Sequence, residues 1–353
     1  MKTPQVLSAL VLASCLVAQS SGTTFLPSLG QNWGNGCNTL PYGTLLYRWQ
    51  QLYESSTLPA GLTTGKLITQ IGWRRCGNTS TYNAATLDIE VGIYSVPFVQ
   101  TGMNATFATN RTAGTGGVVF TRKLYNLPAM PLGSPASTFS MMPLDTMHTF
   151  AGPHLLVETV TFNATSGSTG WSADMCSGTT VGSAANFGAG CGPTGNTTNS
   201  TTANGTYLPG STLTFSEASG PANAPAVHLL GFSASFLSGV IPLPFDLGSI
   251  GFANCKLYTS AEAQFPVTLD ASGAGSVQLT VPSDSALSGL GFCTQWANLD
   301  SAAPNGLSTS MGRRYLLGPV NCPGAYLYRL SDNLDTSGTV FTNRGQVMRV
   351  VWL

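Results

Sequence analysis

Apolar and polar residues alternate with period two through much of this chain. In Leu87-Asp88-Ile89-Glu90-Val91-Gly92-Ile93 the odd positions are apolar and the even ones polar or small, as in a half-buried antiparallel strand. The same alternation marks Leu213-Thr214-Phe215 and Val277-Gln278-Leu279-Thr280-Val281, and it returns less cleanly from Gln346 to Leu353. Short apolar runs over Lys66 to Ile71, Val118 to Thr121, His154 to Phe162, Val227 to Phe232 and Phe292 to Asn298 predict buried strands. Clusters of Gly, Pro and Asn separate these segments at the spacing expected of sandwiches. Leu46, Trp49 and Tyr53 stand at helical spacing, in a stretch that reads equally well as a strand.

The apolar anchors thin out between Asn163 and Thr206, where Gly, Ser, Thr, Ala and Asn take over. The expected fold is therefore all-β, with two antiparallel β-sandwich modules of jelly-roll or Ig-like type. They are placed at 23–175 and 205–353 and joined by a flexible Gly/Ser/Thr/Asn-rich linker over 176–204. The length of the chain also suits two modules better than one.

Composition narrows the class further. Only 8% of the 353 residues are charged, 14 Lys+Arg against 14 Asp+Glu, where a soluble domain usually has about a quarter. With 42% hydrophobic residues and no net charge, intrinsic disorder is excluded. No basic field exists to neutralise phosphates, so nucleic acid is not an expected partner. Coiled coils would need charged faces that these residues cannot supply. Solubility must come from Ser, Thr, Asn and Gly.

Residues 1–20 read as a signal peptide. Lys2 supplies the charged start, Val6 to Ala18 is nearly all apolar, and small residues follow at Ala18 and Ser20. That run is too short for a bilayer, which needs about 20 residues, and no transmembrane segment is expected elsewhere. Cleavage near Ala18 to Ser21 would leave a secreted or cell-surface protein. Leu12-Ala13-Ser14-Cys15 resembles a lipobox, so anchoring through a lipidated Cys15 is the competing expectation, although the apolar run continues past it.

Seven cysteines follow the signal, with no C-x-x-C pair, which argues against zinc ribbons and thioredoxin-type sites. In an exported chain structural disulfides are the default. The expected pairs are Cys37 with Cys76, Cys191 with Cys255 and Cys293 with Cys322, leaving Cys176 odd, with a Cys176–Cys191 loop as the competitor. N-x-S/T sequons stand at Asn78, Asn104, Asn110, Asn163, Asn196, Asn199 and Asn204. They are candidate glycosylation sites, although a chain so rich in Ser, Thr and Asn produces several by chance.

The second half carries distinctive runs: Pro242-Leu243-Pro244-Phe245-Asp246-Leu247-Gly248, Gly251-Phe252-Ala253-Asn254-Cys255-Lys256-Leu257-Tyr258-Thr259-Ser260, Phe265-Pro266-Val267-Thr268 and Phe292-Cys293-Thr294-Gln295-Trp296-Ala297. They resemble a C-terminal β-sandwich module of secreted planctomycete proteins. Arg48-Trp49-Gln50-Gln51-Leu52-Tyr53 and His154-Leu155-Leu156-Val157-Glu158 resemble an N-terminal β module often joined to it. The resemblance implies an extracellular β-sandwich and carries no catalytic residues. Two departures stand out: residues 308–339 look like an insertion before the last strand, and Cys293 sits where an aromatic or aliphatic residue is expected.

Candidate chemistry is sparse. The three histidines are His148, His154 and His228. The first two are six residues apart around Gly152-Pro153, which is not a helical metal pair, and a loop or strand role is expected for all three. No G-x-S-x-G elbow occurs. A glycosidase needs two carboxylates across a cleft, and Asp145, Glu158 and Asp174 are the acids that could furnish them. Asp88 and Glu90 share one strand face and read as its solvated side. Ser331-Asp332-Asn333-Leu334-Asp335 is the best calcium-loop candidate, and more simply a turn. Trp33, Trp49 and Trp73 could form a sugar-binding platform, but more simply fill the core.

No cofactor or metal is expected. The leading expectation is an exported, non-enzymatic cell-surface or extracellular-matrix protein. It would act in adhesion, display or assembly, as a filament or layer subunit for instance, with itself or other extracellular proteins as partners. A carbohydrate-binding protein taking neutral glycans is the alternative, and a secreted hydrolase the third.

Overall fold

The computed structural model describes residues 22–26, 34–77, 81–131, 138–163, 167–192, 200–204 and 206–353. The first half forms β1 (Gly22–Leu26), β2 (Gly36–Asn38), β3 (Tyr47–Tyr53), β4 (Leu67–Arg74) and β5 (Ala85–Val96). The short helix α1 (Phe107–Thr112) precedes β6 (Thr115–Leu127), β7 (Phe139–Thr149), β8 (His154–Thr161) and β9 (Ala173–Ser177). Next come β10 (Ser183–Phe187), β11 (Ser200–Asn204), β12 (Thr212–Ala218) and β13 (Pro225–Gly231). Two short ribbons follow, β14 (Phe236–Leu237) with β15 (Ile241–Pro242) and β16 (Phe245–Asp246) with β17 (Lys256–Leu257). The chain then runs through β18 (Ala263–Thr268), β19 (Gly275–Thr280), β20 (Gly291–Leu299), β21 (Leu307–Thr309) and β22 (Gly312–Leu316). It ends with β23 (Gly324–Leu330), β24 (Thr339–Thr342), β25 (Arg344–Gln346) and β26 (Met348–Trp352). The fold is all-β, and its ladders are antiparallel.

Two sheets share the first core. One runs β1-β26-β4-β7 and the other β24-β23-β3-β8-β5-β6. Their facing side chains meet in a single cluster that includes Trp49 and Trp73, whose rings lie edge-on at 5.9 Å. Strand β8 is buried along its whole length. Leu155 and Val157 enter the shared core, while Leu156 packs on the other face with Phe107 of α1. Burial on both faces explains why its sequence reads as an apolar run and does not alternate.

A second pair of sheets runs β10-β22-β20-β13-β18, with β21 beside β20, and β11-β12-β19. Phe215 of β12 meets Tyr315 of β22 edge-on at 5.3 Å across their core. A further small sheet, β2-β9-β25, lies against β3, β4 and β23 of the first pair.

Several expectations are corrected. Residues 176–192 of the expected linker are structured: Cys176 is in β9, Thr179 bridges Val320, and β10 pairs with β22. Small residues there do not signal freedom, because the backbone is held by strand pairing and needs no bulky side chains. The second unit does not run from 205 to 353, since β23, β25 and β26 pair with β3, β9 and β4 respectively. The apolar residues Met348, Val350 and Trp352 find their burial in the first core. Residues 308–339 are no insertion, for β22 lies between β10 and β20 and β23 beside β3. Leu46, Trp49 and Tyr53 belong to no helix, since β3 is paired on both edges, with β23 and β8.

The disulfides join Cys37 to Cys76, Cys191 to Cys255 and Cys176 to Cys322. The expected Cys293–Cys322 pair is thus corrected. Cys293 lies in β20, buried, outside these three disulfides and packed with Phe187, Ala234 and Tyr258, whereas β9 carries Cys176 to the segment between β22 and β23. Burial pushes the Cys293 thiol up to about 12, so it behaves as a small apolar residue.

Peptide mapping without reductant should therefore recover a Cys176–Cys322 cross-link, and thiol reagents should reach Cys293 only after unfolding. A recovered Cys293–Cys322 cross-link would contradict this arrangement. Truncating Trp49 to Ala should cost about 3–5 kcal/mol of stability, read as a lower denaturant midpoint.

Candidate functional site

The residues singled out for chemistry do not converge. Asp145 lies on the exposed side of β7, bonded to the Thr121 amide and hydroxyl at 2.9 and 2.7 Å and paired with Lys123. These partners, Lys123 foremost, hold its carboxyl down at about 2. Glu158 is buried on β8, where it accepts from Arg48 Nε at 3.0 Å and Gln50 Nε2 at 3.2 Å, with Arg111 of α1 at 3.5 Å. His154 accepts a hydrogen bond from the Ser55 amide at 2.9 Å. Asp332 closes its own turn by accepting from the Leu334 amide, and Asp335 pairs with Arg329 at 3.0 Å. Among the described residues no group of three or more His, Cys, Asp or Glu is arranged to hold a metal ion.

Asp174 lies in the interior where β4, β9 and β22 approach. Its Oδ2 accepts from Arg74 Nη2 at 2.6 Å, Arg74 Nε at 2.9 Å and the Gly34 amide at 2.7 Å. Arg314 Nη1 stands 4.0 Å from Oδ1. Burial lowers the Arg314 pKa, and Asp174 opposes that shift. Asp174 Oδ1 and Arg314 Nη1 make no hydrogen bond among the described residues, so the Oδ2 side, with its three donors, is what offsets the cost of burying this ion pair.

A concavity of about 450 Å³ is a groove between the start of β6 and the end of β7. Gly116 forms part of its wall with φ at 150°, and a Cβ there would meet Ile93 O at 2.1 Å, so glycine allows β6 to begin this close to β5. His148 lines the groove and shares a 3.1 Å hydrogen bond with Ser95 Oγ, which accepts from the Ala151 amide at 2.8 Å. This is a hydrogen-bonded pair of a serine hydroxyl and an imidazole, the side-chain types of a nucleophile and its base. It is poorly suited to catalysis. Ser95 is 3% exposed, and burial holds the His148 imidazole down at about 4, far below the value near neutrality that suits a general base. No described carboxylate is bonded to its other ring nitrogen.

His228 is fully buried, stacked on Phe215 at 4.7 Å and tilted against Trp296 at 4.8 Å. Its ring nitrogens make no hydrogen bond among the described residues, and burial lowers its pKa to about 3.

No protein-family model and no curated protein matches the sequence.

Tryptophans 49, 73, 171, 296 and 352 are all buried, so Trp49 and Trp73 belong to the core, while Trp33 lies outside the described residues. Among the sequons, Asn110 is 1% exposed and its amide nitrogen donates to Gln50 Oε1 and Asn104 O, which leaves it closed to glycosylation. Asn104 is exposed. Asn163 is half-buried and accepts from the Asp88 amide at 3.2 Å. Asn204 ends β11, and Asn78, Asn196 and Asn199 lie outside the described residues. Among the described residues, no helix is long and apolar enough to cross a membrane. The three disulfides fit an oxidising compartment.

Sequence reasoning missed the Ser95–His148 bond and the convergence of Arg74, Asp174 and Arg314. Their partners lie 53, 100 and 140 residues apart, and no spacing signal spans such distances.

Removing the Asp174 carboxylate with Asp174→Ala would leave Arg74 charged and buried, so a loss of about 3–5 kcal/mol is expected, measured by urea unfolding. The histidines also set an acid limit. An unfolded imidazole takes up its proton near pH 6.5, whereas His148 and His228 resist protonation until about 4 and about 3. The unfolded state therefore binds more protons, and stability should fall as pH drops from about 6.5 toward these values. His228→Phe keeps the stacking and should flatten that decline in a pH series of melting curves; an unchanged slope would count against it.

Proposed function

We propose that this chain is an exported, non-enzymatic cell-surface or extracellular-matrix protein of two β-sandwich units that acts in adhesion, display or assembly. The observation that carries this reading is the structural engagement of its few acids. Asp88, Asp145, Glu158, Asp174 and Asp335 are in ion pairs. Asp246, Asp270, Asp284, Asp300 and Asp332 accept from nearby backbone amides in turns and caps. Glu54, Glu217 and Glu262 accept from Gln100, Asn298 and Ser260. Among the described residues that leaves Glu90 as the acid without such a bond. Carboxylates held in ion pairs are less available as acids or bases, and the surface that remains is short of net charge. Contacts on such a surface are scarcely screened by salt.

The export signal at residues 1–20 and the resemblance of the second half to modules of secreted planctomycete proteins support the same reading. The test is the full chain expressed in a host that exports it. The expected result is disulfide-bonded protein at the cell surface or in the medium that attaches to cells or to itself. It should turn over none of a panel of esters, glycosides and peptides. Turnover abolished by Ser95→Ala or His148→Ala would overturn the reading in favour of a hydrolase. Glycan binding without self-association would favour a carbohydrate-binding protein.

A further inference from the structure

The second pair of sheets ends on one side in β18 and β19, which are joined by the turn over residues 269–274. Strand β18 pairs with β13, and β19 with β12. Along an antiparallel strand, the backbone groups of successive residues point alternately to its two edges. The Leu269 amide donates to Ala224 O, opposite it in the β13–β18 register, so the backbone groups of Gln264, Pro266 and Thr268 point away from β13. The Val281 amide donates to Ser211 O, so those of Ser276, Gln278 and Thr280 point away from β12.

The two edges are guarded differently. Pro266 has no amide hydrogen and sits at the centre of the β18 edge, where it blocks a further strand. Strand β19, Gly275-Ser276-Val277-Gln278-Leu279-Thr280, contains neither proline nor charge. Its side chains alternate between half-buried Gly275, Val277 and Leu279 and exposed Ser276, Gln278 and Thr280. Several other edge strands carry a guard. β6 has Arg122 and Lys123, β7 has Pro143 and Asp145, β10 has no exposed side chain, and β24 is four residues long. Natural sheets normally protect a regular edge with charge, proline or a bulge, so an edge left without them is one that can be used.

We propose that β19 is a pairing edge for a second copy of this chain, joined antiparallel across a two-fold axis at Gln278. In that register Gln278 faces its own copy, and Ser276 of each chain faces Thr280 of the other. All three residues present backbone groups to the partner. The half-buried Val277 and Leu279 of each chain come opposite each other on the inner face, which prolongs the apolar face of the sheet. The pattern polar-apolar-polar-apolar-polar from Ser276 to Thr280 reads the same in both directions, which an isologous interface requires. No like charges oppose one another, so a second copy fits this edge with no electrostatic cost. The proposal rests on the assembly reading above and specifies one contact of that assembly.

Sedimentation equilibrium of the full mature chain across a concentration series tests it, beside hydrogen exchange at low and high concentration. The expected result is a reversible dimer, with the amides of Ser276, Gln278 and Thr280 protected only at high concentration. Those of Val277 and Leu279 should be protected at both, because they bond β12. Gln278→Lys sets two cations opposite each other and should weaken dimerisation by about tenfold or more, with an unchanged melting temperature at dilutions where both proteins are monomeric. Gln264→Lys, on the edge that Pro266 already blocks, should leave dimerisation unchanged. A strictly monomeric wild type, or a dimer indifferent to Gln278→Lys, overturns the proposal. Protection of these amides solely on adding a different protein overturns the second copy as occupant. Attachment to cells by a strictly monomeric protein removes the β19 dimer and leaves the adhesive reading, whereas a β19 dimer without any attachment or further assembly does the reverse.

Discussion

The carboxylate of Asp174 is the point on which the separate sheets depend. It is buried in β9, and its oxygens face Arg74 of β4, the Gly34 amide and Arg314 of β22. An unpaired carboxylate in that position would cost several kcal/mol, so β4 and β9 must come together for the interior to close. The disulfides Cys37–Cys76 and Cys176–Cys322 attach to the same strands or their flanks, close to this pair in the chain. Covalent and ionic links thus hold one junction, where the apolar contact is modest: Cys176, Leu316, Val320 and Cys322 form a small cluster of their own.

Scarcity of charge elsewhere has a consistent effect. Most ionic groups are used to close turns or to pin neighbouring strands, as with Arg122 and Asp88 on the outer face of β5 and β6. What remains outside is largely amide, hydroxyl and backbone with scattered apolar side chains such as Leu124, Val240 and Leu334, a surface without a strong steering field. Edges must then be guarded by proline, shortness or cover when charge is absent. Pro266 illustrates one such guard, and β19 lies beside it without one.

Several elements were legible because they depend on local pattern. The alternation at Leu87 to Ile93 is β5, and the run from His154 is β8. Glycine-rich 176–192 misled because a strand in a three- or six-stranded sheet can be held by its ladder with small side chains. Leu46, Trp49 and Tyr53 match a helix in spacing, but β8 and β23 supply a partner on each edge of β3. The candidate site was legible only as a set of residues. Asp145, His148, Glu158 and Asp174 stand within one stretch of the sequence, and the strands carrying them turn their side chains to different surroundings.

By itself the sequence determined the class: an all-β, cysteine-linked, nearly neutral chain whose strand faces follow from period-two alternation, a property of a single strand's pleat. Which strand neighbours which was decided only in three dimensions. The return of β23, β25 and β26 to the first sheets, the pairing of Cys176 with Cys322, and the meeting of Asp174 with Arg74 join positions far apart in the chain. Alternation tells each strand which face to bury and leaves its edges unassigned, because every backbone edge offers the same donors and acceptors. Partners are chosen by the shared filling of the cores and by the few buried charges that must find each other.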